Sequence, residues 1–202
     1  MQKQSKTLFI DTATKFVFLA LVEAGVKTES VYQEGINNHS VTIMPLLADM
    51  LGHRGIALKD LTEIVVGIGP GSYTGVRIGV SIAKMVGYLN QIPIMTISSL
   101  ALLASGAASG DVVAFIDARH GNAFMACYRI NGDIMEEICA DTLANAEAFQ
   151  ASIPGHPIVR ESGEPDVLKI LHSKLAKPVT DVHALVPNYL QITEAERKRV
   201  DA

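Results

Sequence analysis

The 202-residue chain has no tryptophan, only two cysteines, few aromatic side chains (5%) and no surplus of positive charge. Each shortage excludes something. Cys127 and Cys139 lie outside any metal-binding spacing, and two cysteines do not make a disulfide framework. Lys and Arg total 17 against 21 Asp and Glu, for a formal charge of -4, and the longest basic run is Arg197-Lys198-Arg199. A surface that grips nucleic-acid phosphates directly is not expected. Histidines 39, 53, 120, 156, 172 and 183 never stand three or four apart, so no preformed histidine metal site is expected. Met85 to Gly110 carries no charge, yet Asn90, Gln91, Pro93, Ser98 and Ser99 interrupt it, so it does not read as a membrane span. Met1 to Lys6 lacks the apolar stretch of a secretion signal, and the expectation is a cytoplasmic protein in a reducing compartment.

What remains is 49% hydrophobic and 19% charged, with 16 Gly and 8 Pro, the profile of a folded protein of one domain or two small ones. Thr7 to Ile10 and Lys15 to Val22 read as two strands of a hairpin, and Val26 to Gln33 as a more polar third strand near an edge. Asn37 to Ser40 offers helix-starting chemistry before the apolar run Val41 to Leu51, with His39 read as a cap or surface residue. Ile64 to Ile68 reads as a buried strand, Tyr73 to Leu89 as a helix, Pro93 to Ile97 as a strand and Ser98 to Ser105 as a helix. The loose segment Gly106 to Gly110 looks like a boundary between residues 1–105 and 106–202.

Beyond it the opening order returns. Phe115-Ile116-Asp117-Ala118 mirrors Phe9-Ile10-Asp11-Thr12, Asn122 to Ile130 and Ile134 to Ala140 flank the hairpin signal Asn131-Gly132, and Asn145 to Ser152 reads as a helix. Two copies of a strand-strand-strand-helix unit imply a duplicated α/β architecture with a degraded second copy. In that copy, His156 to Val159 and a helix near Asp166 to Leu175 precede a tail, Pro187 to Ala202, whose packing on the first or only the second copy is left open.

The most distinctive segment is the glycine-rich run Gly67 to Gly79. It can be an anion cradle or a structural turn, and it lacks the endings of a P-loop, a dinucleotide fingerprint or a nucleophile elbow. Gly75, Gly79, Ala83 and Gly87 then recur every four residues, a small stripe that admits another backbone from within the fold or from a partner chain. On the preceding helix, Val41, Met44, Leu47, Ala48 and Leu51 share one face, while Ile43, Leu46 and Met50 share an adjoining one. A second apolar stripe implies a partner chain or a helix buried in its own core. Asp11 and Asp117 end corresponding strands, where paired carboxylates could hold a magnesium nucleotide. Arg119 and His120 crowd the second turn, so Asp11, Thr12 and Asp117 are candidates for weak nucleotide contact only. No catalytic constellation and no metal site emerge.

Ile10-Asp11-Thr12-Ala13, His39-Ser40 leading to Met44-Pro45, the run Gly67 to Gly79, Asp117-Ala118-Arg119 with Gly121, and Pro187-Asn188-Tyr189-Leu190 occur in that order. Together they resemble the TsaB (YeaZ) family. The resemblance implies two ribonuclease-H-like lobes of the actin, sugar-kinase and Hsp70 (ASKHA) superfamily, the second reduced. It implies a non-catalytic subunit that supports N6-threonylcarbamoylation of adenosine 37 in tRNAs decoding codons that begin with A. It further implies pairing with the catalytic paralogue TsaD, joined by the ATPase TsaE, a homodimer when TsaD is absent, and contact with tRNA only through the complex. No cofactor would be firmly bound, and ATP or ADP would sit at most at the complex interface. The partner surface falls on the first two helices, with Val41, Ile43, Leu46, Leu47, Met50, Arg77, Ile78 and Ile82 as its candidates. His120 and Gln191 depart from the family pattern. The histidine pair by which the catalytic paralogue holds metal is missing, since Ser40 to Ile43 follow His39. Two other readings compete: an ATP-dependent phosphotransferase using Asp11 and Asp117, and a metallopeptidase of the old M22 glycoprotease grouping, for which no zinc site or nucleophile is found.

Overall fold

The computed structural model describes residues 4–35, 39–161 and 163–191. β1 (Lys6–Asp11) and β2 (Phe16–Glu23) form the expected antiparallel hairpin, and β3 (Val26–Glu34) adds to the far side of β2. The β2–β3 turn places Ala24 and Gly25 at φ 49° and 79°, the positive-φ pair of a primed turn whose twist matches its strands. α1 (His39–His53) follows; the side chain of His39, the expected cap or surface residue, lies outside the described part. Then come β4 (Glu63–Gly67), α2 (Tyr73–Asn90), β5 (Ile94–Ile97) and α3 (Ser99–Ser105). β4 runs parallel to β1, and β5 parallel to β4.

The second half has β6 (Gly110–Arg119), β7 (Asn122–Asn131), β8 (Ile134–Asn145), α4 (Ala146–Ser152), β9 (Ile158–Val159), α5 (Val167–Ser173) and β10 (Lys177–Pro178). The order of the first sheet is β10-β5-β4-β1-β2-β3, and that of the second is β8-β7-β6-β9. Each half therefore builds an antiparallel three-strand meander, passes through a helix, and returns a strand parallel to its first: β4 on β1, β9 on β6. The duplicated order read from the sequence is present in the topology. The halves part afterwards, because β10 leaves the second sheet and pairs antiparallel with β5 of the first.

Burial explains the composition of these strands. β1 and β2 are buried almost throughout, as near-continuous apolar strands are when both sheet faces are covered. One face meets α1 and α2 through Leu8, Ile10, Leu19 and Leu21. The other, through Phe9, Phe18, Ala20 and Val22, shares a core with α3, α5 and the inner face of the second sheet, including Ala114, Ile116, Ala126 and Tyr128. That core runs across the Gly106 to Gly110 link. α4 covers the outer face of the second sheet, where Phe149 and Ile153 pack on Val113, Phe115 and Met125.

Several boundaries differ from the sequence reading. Asn131 still pairs, with Ile134, so the turn is Gly132-Asp133, with Gly132 at φ 59°. β8 continues past Ala140 to Asn145, because two irregularities in its pairing with β7 break the alternation that would have marked it. Asn145 and Asp166 stand outside their helices as N-caps, accepting from Ala148 N and from Leu168 N and Lys169 N. No helix among the described residues is long and apolar enough to cross a membrane.

Candidate partner face and strand-end turns

α2 starts at Ser72, whose side chain accepts a hydrogen bond from Gly75 N (3.2 Å). Its small-residue stripe faces inward. A Cβ on Gly75 would stand 2.0 Å from the carbonyl oxygen of Thr12, one on Gly79 would stand 2.7 Å from Thr12 Oγ1, and one on Gly87 would stand 2.6 Å from Ile94 Cδ1. Thr12 Oγ1 donates to Gly75 O (2.6 Å) and accepts from Gly79 N (3.1 Å), so the turn after β1 is bonded into the first turns of the helix. Of the two readings of the stripe, close packing within the fold is the one realised.

The same contacts decide the glycine-rich segment. Gly69 N donates to Ser99 Oγ (3.0 Å), Ser72 N to Ala13 O (2.7 Å) and Val76 N to Ser72 O (2.9 Å). These amides are spent inside the protein rather than held open for an anion, and the segment is a structural turn. Asp11 and Thr12, two of the candidates for weak nucleotide contact, are 6% exposed and fully buried respectively. Asp11 Oδ1 accepts from Ala13 N (2.6 Å), while Oδ2, beside Gly67, has no hydrogen-bond partner. Burial outweighs the opposing pulls of the Ser99 hydroxyl and the Ala13 amide and raises the pKa of Asp11. Asp117 is exposed and turns its Oδ1 to Arg119 N (2.8 Å). Among the described residues no group of three or more His, Cys, Asp and Glu is arranged to hold a metal ion.

The outward side of α2 is different in kind. Arg77, Ser81, Met85 (47% exposed), Tyr88 (59%) and Leu89 (71%) face solvent, with Ile78 partly exposed beside them. Tyr73, Thr74, Arg77, Ile78 and Ser81 line an open hollow. On α1, Val41 is 62% exposed and Leu46 partly so. Ile43, Leu47 and Met50 are corrected by the structure: spaced four and three apart, they turn onto the sheet and are at most 1% exposed in the core with Leu8, Ile10 and Leu19. Ile82 is likewise buried at 8%. The core therefore takes residues from both apolar stripes of α1, and Val41, Leu46, Arg77 and Ile78 are the candidates that retain accessible surface.

Sequence reasoning missed what frames this face. After β10 the chain runs along α2 as a strap. Val179 N donates to Ile94 O (2.9 Å), Lys84 Nζ reaches the carbonyls of His183 and Leu185 (both 3.0 Å), and Asn188 N donates to Ile68 O (2.7 Å). Tyr189 packs on Tyr73 at 4.9 Å between ring centroids, and Arg77 Nε donates to its hydroxyl (2.6 Å). The guanidinium also lies 4.0 Å over the Tyr73 ring and bonds the Tyr73 hydroxyl. The motif Pro187 to Leu190 was visible in the sequence; its docking on the first helix face was not. Residues 192–202 of the tail lie outside the described residues.

The fold and this face define a class: a paired-sheet α/β protein with an open, helix-borne surface on α2. Residues 27–195 match the family model described as TsaD, tRNA N6-adenosine threonylcarbamoyltransferase. The chain is 30% identical to the tRNA threonylcarbamoyladenosine biosynthesis protein TsaB of Bacillus subtilis, over 96% of this chain and 98% of that one. It is 35% identical to the protein of the same name from Escherichia coli, over 61% of this chain and 55% of that one. The structure of YeaZ from Pseudomonas aeruginosa superposes with a TM-score of 0.77 at 24% identity, covering 92% of this chain and all of that one, which speaks to the fold. The chain belongs to the TsaB (YeaZ) family.

Proposed function

We propose that this chain is a non-catalytic subunit of a tRNA-modifying complex: it pairs with TsaD, is joined by TsaE, and is required for transfer of the threonylcarbamoyl group to N6 of adenosine 37 in tRNAs decoding codons that begin with A. In this reading the two halves are ribonuclease-H-like lobes of the ASKHA superfamily, the second reduced, and the strand-end turns no longer serve a nucleotide. One contrast carries it. Thr12 is sealed under α2 and Asp11 is buried beside Gly67 and Ser99, whereas the outer side of α2 is open, partly apolar and ordered by Tyr73, Arg77 and Tyr189. A helix face of that kind suits a helical partner, either TsaD or, in its absence, a second copy of this chain.

ATP or ADP used by the complex is then held between chains rather than within this one, and no metal belongs to it. The formal charge of -4 supports leaving most tRNA phosphate contacts to the partners, and a cytoplasmic location fits the substrate. The test is threonylcarbamoylation of tRNA by purified TsaD and TsaE from the same organism, together with TsaC, the enzyme that supplies threonylcarbamoyl-adenylate from threonine, bicarbonate and ATP, with and without this chain, read as modified nucleoside by mass spectrometry. Modification only with the chain present is the expected result; equal modification without it overturns the proposal. Ile78→Arg should weaken association with TsaD about tenfold or more while the isolated chain stays folded. Ile43→Arg is not a test of the interface, because it places a charge in the core.

A further inference from the structure

We propose that Cys127 and Cys139 form a reversible two-thiol redox site, closed to a disulfide by oxidants of the disulfide class such as oxidised glutathione. The pairing of β7 with β8 sets these residues directly opposite one another. Opposed residues of antiparallel strands have Cα atoms about 4.5–5.5 Å apart, within the span of about 4.4–6.8 Å that a disulfide takes. Both side chains lie on the outer face of the second sheet: Cys127 is buried with Val113, Phe115 and Met125, and Cys139 is half-buried against the same cluster. The thiols interact directly, and burial together with that contact pushes Cys127 up to about 12. The strands' register shifts on both sides of the pair, between Met125 and Cys127 and again between Cys127 and Tyr128. A ladder interrupted on both sides has room to adjust the Cβ separation that a regular ladder would hold fixed.

Exposure orders the chemistry. Cys139 reaches solvent, and its thiolate attacks one sulfur of oxidised glutathione, expelling the first glutathione thiolate. Cys127 then gives up its proton and attacks Cys139 Sγ, forming the intramolecular bond and expelling the second. The two cysteine protons finish on two glutathione thiols; the protein dithiol is oxidised by two electrons and the oxidant reduced by two. Burial of Cys127 makes the second step the slower one. Closure also has a structural address. Asp141 lies in the irregular stretch between the pairs Met125–Thr142 and Cys127–Cys139, and its carboxylate accepts from Ser98 Oγ (2.8 Å) and from Asn188 Nδ2 (3.3 Å) of the strap. A disulfide on the outer face fixes the stretch that holds both partners on the inner one.

The experiment equilibrates the folded full-length chain in glutathione buffers of rising oxidised fraction, quenches with acid, alkylates free thiols and reads the mass. The expected product has lost two hydrogens, resists alkylation at both cysteines and returns to the dithiol with dithiothreitol. Cys127→Ala should instead stop at a glutathione adduct on Cys139, and Cys139→Ser should take up no glutathione while folded. Amide exchange across residues 140–142 should slow in the oxidised form. Accumulation of the Cys139 adduct in the unsubstituted chain, oxidation only in urea, or no reaction at fully oxidising poise would each overturn the proposal.

Discussion

The chain makes the same turn twice and uses it for opposite ends. At the end of β1, Asp11 Oδ1 accepts from the amide two residues on (2.6 Å), and near the end of β6, Asp117 Oδ1 does the same (2.8 Å). In the first half the glycine face of α2 closes over the turn and Thr12 Oγ1 bonds that helix at two points. In the second half no helix closes over the turn: α4 meets it only at its start, where Ala146 N donates to Gly121 O (2.9 Å). Arg119 pairs with Asn122, and His120-Gly121 closes a hairpin with both residues at positive φ (54° and 76°). A strand-end aspartate is therefore not a site in itself. What it does is set by the helix that follows, and here that helix has turned the first copy into a joint while leaving the second at the surface.

The largest effect should come from prising the joint apart. Gly75→Val puts a branched side chain where even a Cβ would meet a backbone carbonyl at 2.0 Å, and it should cost about 3 kcal/mol or more of stability. Gly121→Ala in the open turn meets nothing nearer than Asn145 Nδ2 at 3.7 Å and has only its φ of 76° to oppose it, about 1 kcal/mol. Urea midpoints of the two variants measure the contrast directly. Similar costs would mean that the two turns are packed alike.

A second contrast is electrostatic. Burial raises the pKa of Asp11 above its ordinary value of 3.8, so the folded state favours the neutral acid. The sign follows from linkage: this contribution to stability is complete below pH 3.8 and is lost as pH rises through the higher folded value. Asp11→Asn keeps the shape and removes the charge. It should raise stability at neutral pH by about 1–3 kcal/mol and flatten the fall of stability above pH 3.8. Asp141, whose pKa burial also raises, contributes a slope of its own, so the comparison is between Asp11→Asn and the parent chain at each pH. Asp117→Asn, at an exposed position, should change stability by less than about 0.5 kcal/mol. Thermal or urea unfolding from pH 4 to 8 reads both, and a destabilised Asp11→Asn at neutral pH would mean that the carboxylate is wanted charged.

These contrasts separate what was legible in the sequence from what was not. The strands β1, β2, β4, β6 and β7 were legible because five to ten residues of sustained apolar or alternating pattern admit one reading, and the duplicated order followed from them. β9 and β10 have two residues each and carry no period, so the crossing of the tail to the first sheet could not be read. On α1, Ile43, Leu47 and Met50 looked as available to a partner as Val41 and Leu46, because apolar residues on two adjoining faces do not say which face meets the sheet. The stripe Gly75, Gly79, Ala83, Gly87 was equally mute about inside and outside until Thr12 was found beneath it. Cys127 and Cys139 were unremarkable by spacing and became a pair only through the β7–β8 register.

The smallest effect on stability tests the outer faces. Each sheet carries an arginine stacked on an aromatic ring on its helix-covered side: Arg77 lies 4.0 Å over Tyr73 and bonds Tyr189, and Arg160 lies 3.7 Å over Phe115. In fold terms the two are alike, and because the Arg77 cluster is solvent-exposed, Tyr189→Phe should leave the unfolding midpoint nearly unchanged. The proposed function makes them unlike. Tyr189 sets the direction in which Arg77 faces a partner across α2, so the same substitution should weaken association with TsaD about threefold or more. Arg160→Gln should leave that association within about twofold, because the second sheet's outer face is assigned no partner. Titration of labelled TsaD with each variant gives the two numbers. A larger loss from Arg160→Gln than from Tyr189→Phe would move the partner from the first half of the molecule to the second.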